Sequence, residues 1–136
     1  MHELANGLDS MAGIPVLVVD DNPINLKLVR VLLAMEGYEV RTATDAEEAL
    51  AVLAGFLPRV VLMDIQLPGM DGLELTRRLK NDPMTSHISV IAITAFAMKG
   101  DEERARAAGC DDYIAKPIDT RALPGIVARH LGRNIP

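Results

Sequence analysis

The sequence has 136 residues, 49% hydrophobic and 24% charged, with a formal net charge of −5. One domain is expected, large enough to bury a core without disulfides or a structural metal. The acidic balance excludes a nonspecific nucleic-acid binder, which needs a basic face, and no apolar run nears the roughly 18 residues of a membrane-spanning helix.

Residues 1–13, "MHELANGLDSMAG", have neither a basic start nor an apolar h-region, so they read as a flexible leader rather than a secretory signal. The first apolar, β-branched run is "VLVVD" (Val16–Asp20), a strand. "DNPINLKLVRVLLAMEG" follows as a helix, with Asn22 as N-cap, Pro23 at the first helical position and Gly37 as the stop. Leu26, Val29 and Leu33 form its apolar face. "YEVRTA" is a second strand and "TDAEEALAVLAG" a second helix, capped by Asp45 or Thr44.

"RVVLMD" (Arg59–Asp64) is a third strand. The helix in "MDGLELTRRLKND" starts at Asp71, with Glu74 three residues on in capping-box spacing. "SVIAIT" (Ser89–Thr94) is a fourth strand, and "GDEERARAAG" a short helix with acids in its first turn, where the dipole favours them. "DYIAK" (Asp112–Lys116) is the last strand. In "DTRALPGIVARHLG", Pro124 breaks a continuous helix, so a turn over 119–123 should precede a helix starting near Pro124. Residues 133–136 form a tail.

The alternation is (βα)₅. Near-continuous apolar runs such as "VVLM" and "VIAI" suit strands covered on both faces. Right-handed crossovers then give an α/β fold, a doubly wound five-stranded parallel sheet between two helical layers. Functional groups in such sheets gather beyond the carboxyl ends of the strands. Those ends carry Asp20 and Asp21, Asp64, Thr94, and Lys116 followed by Pro117.

Three carboxylates at one rim repel one another and persist most easily around a cation. Oxygen-only donors suit Mg²⁺, or Mn²⁺, and the lack of His or Cys at these ends disfavours zinc. A carboxylate, a divalent cation, an ammonium and a hydroxyl together can hold a transferring phosphoryl group, and an Asp carboxylate is a competent nucleophile for it.

At these residues the chain resembles a known family, the receiver domains of two-component response regulators, with their CheY-like, flavodoxin-like sandwich. The matching stretches are "VVDDN" (Val18–Asn22), "LMDIQLPGMDG" (Leu62–Gly72), "AITA" (Ala92–Ala95) and "YIAKPI" (Tyr113–Ile118). They cover a receiver of about residues 14–132. The stretch before and through "YIAKPI" is especially similar to stand-alone receivers of the DivK type and to receiver modules of hybrid kinases.

The resemblance implies roles. Asp64 accepts the phosphoryl group from a phosphohistidine on a histidine kinase or histidine phosphotransfer protein. Asp21, Asp64 and the backbone carbonyl of Gln66 hold Mg²⁺, and Asp20 acts through bound water. Lys116 contacts the phosphoryl group and pairs with Asp64 when it is empty. Thr94 moves to a phosphoryl oxygen, Tyr113 rotates inward behind it, and the Lys116–Pro117 bond is cis. Such a protein is a phosphorelay component of the cytoplasm rather than an ordinary enzyme, although it catalyses its own phosphorylation and autodephosphorylation. Its partners are the donor and a downstream protein target, with no nucleic acid and no membrane.

Other residues carry less. Asp71 reads as a helix cap, and Cys110, with no second Cys or nearby His, as a small buried hydrophobe. A lone cysteine also allows no internal disulfide and suits a reducing compartment. Gln66 and Phe96 should flank the phosphoryl group, and a bulky Phe96 would restrict the attacking water and lengthen the phosphorylated state. Ile24, Leu28, Pro117 and Ile118 form an apolar patch for partner docking. Four alternatives stand beside this one, the first a phosphatase with an Asp nucleophile, which would want a second Asp two residues after Asp64 where this chain has Gln66. A module cut from a hybrid kinase or larger regulator would share the chemistry. A pseudo-receiver that is never phosphorylated would share only the fold. A nucleotide- or flavin-binding module would need a Gly-rich loop after the first strand, where this chain has the acidic "DDNPIN".

Overall fold

The computed structural model describes residues 13–67, 69–95 and 99–131. Among these, five strands alternate with five helices: β1 (Pro15–Val19), α1 (Pro23–Met35), β2 (Glu39–Ala43), α2 (Ala46–Leu53), β3 (Val60–Asp64), α3 (Gly72–Asn81), β4 (Ser89–Thr94), α4 (Lys99–Ala108), β5 (Asp112–Ala115) and α5 (Leu123–His130). All strand pairs are parallel, in the order β2-β1-β3-β4-β5. The chain therefore winds one way from β1 to β2 and the other way from β1 through β3 to β5. The crevice where the direction reverses lies between β1 and β3.

Side chains alternate across a strand, so each central strand feeds two cores. Val16, Val18, Leu62, Ile91 and Ile93 pack with Leu26, Val29 and Leu33 of α1 and with Leu123 and Val127 of α5. The opposite set, Leu17, Val19, Val61, Met63, Val90 and Ala92, packs against α2, α3 and α4 through residues such as Ala49, Leu75, Leu79 and Ala105. Every residue of β3 is buried, because helices cover both of its faces. Fully buried Leu33 contributes roughly 2 kcal/mol by removal from water. The edge strand β2 instead exposes Glu39 and Arg41, which pair at 3.3 Å. Charges on an edge discourage pairing with another chain.

Helix starts follow the residues expected to cap them. Asn22 accepts from the N–H groups of Ile24 and Asn25, with Pro23 just behind. Asp45 accepts from Glu48 N–H, while the Glu48 carboxylate reaches back to Thr44 N–H, a reciprocal cap. Asp71 accepts from Glu74 N–H at 2.8 Å. Glu74 itself turns to Arg78 at 3.7 Å, so that cap is one-sided. Gly37 ends α1 at φ 97°, a conformation that a side chain would strain. The turn before α5 is held by Asp119, whose side chain accepts from Arg121 and Ala122 N–H groups. The helix then begins at Leu123, one residue ahead of Pro124. Pro is at home there because its missing N–H falls in the first turn.

Two strands end one residue earlier than their sequence runs suggest. Asp20 and Lys116 lie just past β1 and β5, although each keeps a ladder bond: Asp20 N–H to Ala43 carbonyl at 3.1 Å, and Lys116 N–H to Thr94 carbonyl at 2.7 Å. Their side chains are thereby released from the sheet face to the rim.

Candidate functional site

The register of the sheet assembles the site. Val19 of β1 pairs with Met63 of β3, so Asp20 and Asp64, the next residue on each, stand side by side at the crevice. Asp64 is 3% exposed and Asp20 2%, whereas Asp21 faces solvent. The carboxylates of Asp20, Asp21 and Asp64 each bring an oxygen within 4.8 Å of the others. Lys116 enters from β5, its Nζ 3.1 Å from Asp64 Oδ2 and 3.2 Å from Asp20 Oδ2. The expected Lys116–Asp64 pair is present, and the ammonium is shared with Asp20 as well.

Backbone groups fix the carboxylates. Asn22 N–H donates to Asp20 Oδ1 at 2.8 Å, and Gln66 N–H donates to Asp64 Oδ1 at 2.9 Å. Each aspartate thus holds the first residues of its own loop, so the loops cannot move without the acids. The N–H of Gln66 ties its backbone to the acid whose cation its carbonyl is expected to share. Thr94 is fully buried at the end of β4, opposite Ala115. Its carbonyl positions Lys116 through the 2.7 Å bond. The Lys116–Pro117 peptide is cis.

When all four groups are ionised the cluster carries two more negative than positive charges. Two buried carboxylates within 4.8 Å repel by roughly 3 kcal/mol at an effective dielectric of about 20. Burial pushes the Asp64 carboxyl above its ordinary value. The Gln66 N–H and Lys116 pull it down, and the charge of Asp20 adds to the rise. Burial draws Lys116 downward, but Asp64 and Asp20 outweigh it and hold the ammonium above its usual range. The site is thus short of positive charge, and its donors are all hard oxygens. That donor set fits a small divalent cation such as Mg²⁺ and gives zinc no nitrogen or sulfur.

Tyr113 sits on β5 opposite Ala92, half-buried against the core that α2, α3 and α4 share with the sheet. Its phenol is raised by burial and by the acids Asp101 and Glu102 of α4. Ile24 and Leu28 are 77% and 42% exposed on α1. Leu28 joins Asn25, Ala95, Lys116, Pro117 and Ile118 around a groove of about 400 Å³ beside the acids. The expected docking residues therefore adjoin the site. Phe96 lies outside the described residues. Cys110 is buried, its thiol raised by that burial, and its Sγ donates to Thr76 Oγ1 at 3.8 Å.

One contributor escaped the sequence reading. A Cβ on Gly72 would stand 2.4 Å from the Asp64 carbonyl oxygen and 2.8 Å from Ile65 Cα. The first turn of α3 packs directly on the end of β3, and only a residue without a side chain permits it. The available signal was a glycine just inside a helix that Asp71 already caps, where glycine has no propensity of its own to recommend it.

The response regulator receiver domain family matches this chain over residues 16–128. The chain belongs to that family. The receiver is 48% identical over 117 residues to the polar-differentiation response regulator DivK of Brucella anthropi, covering 86% of this chain and 95% of the Brucella protein. A CheY-like receiver from Methanospirillum hungatei has the same fold, with a TM-score of 0.82 at 31% identity, over 89% of this chain and 95% of that one. The receiver domain of the sensor histidine kinase PA1611 of Pseudomonas aeruginosa has a TM-score of 0.81 at 35% identity, over 89% and 99% of the two chains. Its structure holds a magnesium ion in the active-site cleft. The resemblance drawn from four short motifs is borne out, as is the (βα)₅ architecture of the receiver. Among the described residues no helix is long and apolar enough to cross a membrane.

Proposed function

We propose that this receiver accepts a phosphoryl group on Asp64 from a protein phosphohistidine, with Asp20, Asp21, Asp64 and the Gln66 carbonyl holding Mg²⁺. The observation that carries this reading is the buried Asp64, gathered with two further carboxylates and 3.1 Å from the Lys116 ammonium. Bound Mg²⁺ supplies the positive charge that lets an anionic phosphoryl group approach an acidic rim. Asp64 contributes the nucleophile. One of its carboxylate oxygens forms the new O–P bond as the donor's N–P bond breaks, with the electron pair leaving on the imidazole nitrogen. Lys116 then exchanges its contact with the Asp64 carboxylate for one with a phosphoryl oxygen. The Gln66 and Asn22 N–H groups keep both buried acids aimed throughout, so little reorganisation accompanies transfer.

The output follows from the same rearrangement. Thr94 hydrogen-bonds the phosphoryl group and Tyr113 moves inward, which alters the face made by α4, β5 and α5 for a downstream protein. Ile24, Leu28, Pro117 and Ile118 receive the donor. A single buried cysteine suits work in the reducing cytoplasm. The test is incubation with Mg²⁺ and acetyl phosphate, followed by assay for a hydroxylamine-labile adduct. Wild type should acquire one phosphoryl group and Asp64→Asn none. An adduct that survives in Asp64→Asn refutes Asp64 as the acceptor, and no adduct in wild type refutes the mechanism and favours a pseudo-receiver.

A further inference from the structure

A second concave surface lies at the end of the sheet away from the acids. The acidic rim follows the carboxyl ends of the strands, whereas the turns into β3 and β4 stand at their amino ends. There the ends of α2 and α3 leave a groove of about 650 Å³, walled by Leu50, Leu53, Phe56 and Leu79. Leu57 and Met84 line it too, yet they are 49% and 65% exposed. Neither packs into the two cores of the sheet. Large apolar side chains beside an apolar groove leave hydrocarbon in water until something covers them.

Charge identifies the cover. Arg78 and Asp82 line the same groove, four residues apart at the end of α3. Among the described residues no ion pair joins them. Arg78 reaches Glu74 at 3.7 Å, and one Asp82 oxygen accepts from Met84 N–H at 2.9 Å. A cation and an anion so placed are self-complementary. A twofold axis between them sets Arg78 of one copy against the partner's Asp82, and the reverse. A wholly acidic or wholly basic partner would satisfy only one of these charges, whereas a second copy satisfies both. The net charge of −5 opposes association of copies in general. The outer side of α3 escapes that repulsion, because exposed Glu74 and Asp82 are balanced by exposed Arg77 and Arg78.

We propose that the α2–α3 groove is a twofold-symmetric contact between two copies of this chain. Leu57 and Met84 of each copy enter the groove of the other, and the reciprocal Arg78–Asp82 pairs set the register. A contact built on so few exposed apolar side chains belongs with interfaces below roughly 1,200 Å², so the pairing is weak. It leaves the acidic rim uncovered, and dimer formation does not compete with the phosphoryl donor.

The test is sedimentation velocity of the full chain at low salt from about 10 µM to about 1 mM, with ¹⁵N amide shifts recorded over the same series. Wild type should pass from monomer to dimer, and the shifts should fall on residues 53–57 and 78–85 around the groove. Leu57→Glu should weaken association at least ~10-fold, with a thermal midpoint close to wild type because the side chain is half exposed. Arg78→Asp makes both groove charges negative, and Asp82→Arg makes both positive. Each variant alone should stay monomeric, and an equimolar mixture should dimerise, because only the mixed pair restores both contacts. Should Asp82→Arg fail to fold, Leu57→Glu and Arg78→Asp decide the question. A wild type monomeric at the highest concentration, shifts on another face, a mixture no more associated than its components, or unchanged association in Leu57→Glu each overturns the contact. A monomer that instead seats octyl glucoside in the groove, seen by the same amides, gives the groove to a small amphiphile and overturns it as well.

Discussion

Gly72→Ala offers a sharp test of how the site is built. The added Cβ would meet the Asp64 carbonyl oxygen at 2.4 Å, Ile65 Cα at 2.8 Å and Met63 Cγ at 3.0 Å. Two of these atoms are backbone, so rotamer changes cannot relieve the overlap. Either α3 moves outward by several tenths of an ångström or more, or the end of β3 does, and Asp64 with it. Overpacking of this kind costs about 1–3 kcal/mol, against less than about 1 kcal/mol regained from helix propensity. Gly125, in α5, has nothing within 4 Å of the same added atom. There the identical substitution should stabilise by roughly 0.5–1 kcal/mol. Urea unfolding of the two variants should therefore give midpoints displaced in opposite directions from wild type. Acetyl phosphate labelling should be slowed in Gly72→Ala and unchanged in Gly125→Ala. A Gly72→Ala protein as stable and as reactive as wild type would refute the close packing of α3 on β3.

Further expectations concern the charges. Lys116→Met removes the one ammonium shared by Asp20 and Asp64 and should cost about 2–4 kcal/mol without divalent cation, since it leaves buried acids unpaired. Asp64→Asn relieves repulsion with Asp20 and should be neutral or stabilising by up to ~1 kcal/mol; chemical denaturation of both variants in chelator decides, and the reverse ranking would be fatal to this account. Mg²⁺ should stabilise wild type by about 1.4 kcal/mol at ten times its Kd, and chelation or Asp64→Asn should abolish most of the shift in thermal midpoint. Burial alone would raise the Asp112 carboxyl, but His130, the Tyr113 N–H and Arg129 outweigh it and hold the group below its ordinary value. A folded-state value below the unfolded one contributes stability above about pH 4, lost as pH falls through the folded value. Asp112→Asn should therefore lower stability at pH 7 by about 1–2 kcal/mol and flatten the loss as pH falls below about 4, measured as urea midpoints from pH 7 down through that range.

Much of the molecule is written locally. Apolar runs bounded by Gly, Pro and Asp are short-range signals, so β3, β4 and the core face of α1 could be read without coordinates. The caps at Asn22, Asp45 and Asp71 depend on atoms two or three residues away. Asp20, Asp64 and Lys116 stood out because a charge ending an apolar strand is costly unless used. Distances across the fold are another matter. That Val19 pairs with Met63, bringing Asp20 to Asp64, is set by strand order. Lys116 reaches both acids because the Thr94 carbonyl holds its backbone, a contact between strands whose ends lie 22 positions apart in number. Gly72 is the clearest case: its importance lies in an atom it lacks, measured against backbone it meets only after α3 has docked. Sequence by itself determined which residues could do chemistry, through local pattern and the cost of burying charge. Tertiary structure decided how close they come and what has to be small for them to meet, because both depend on packing between segments distant in the chain.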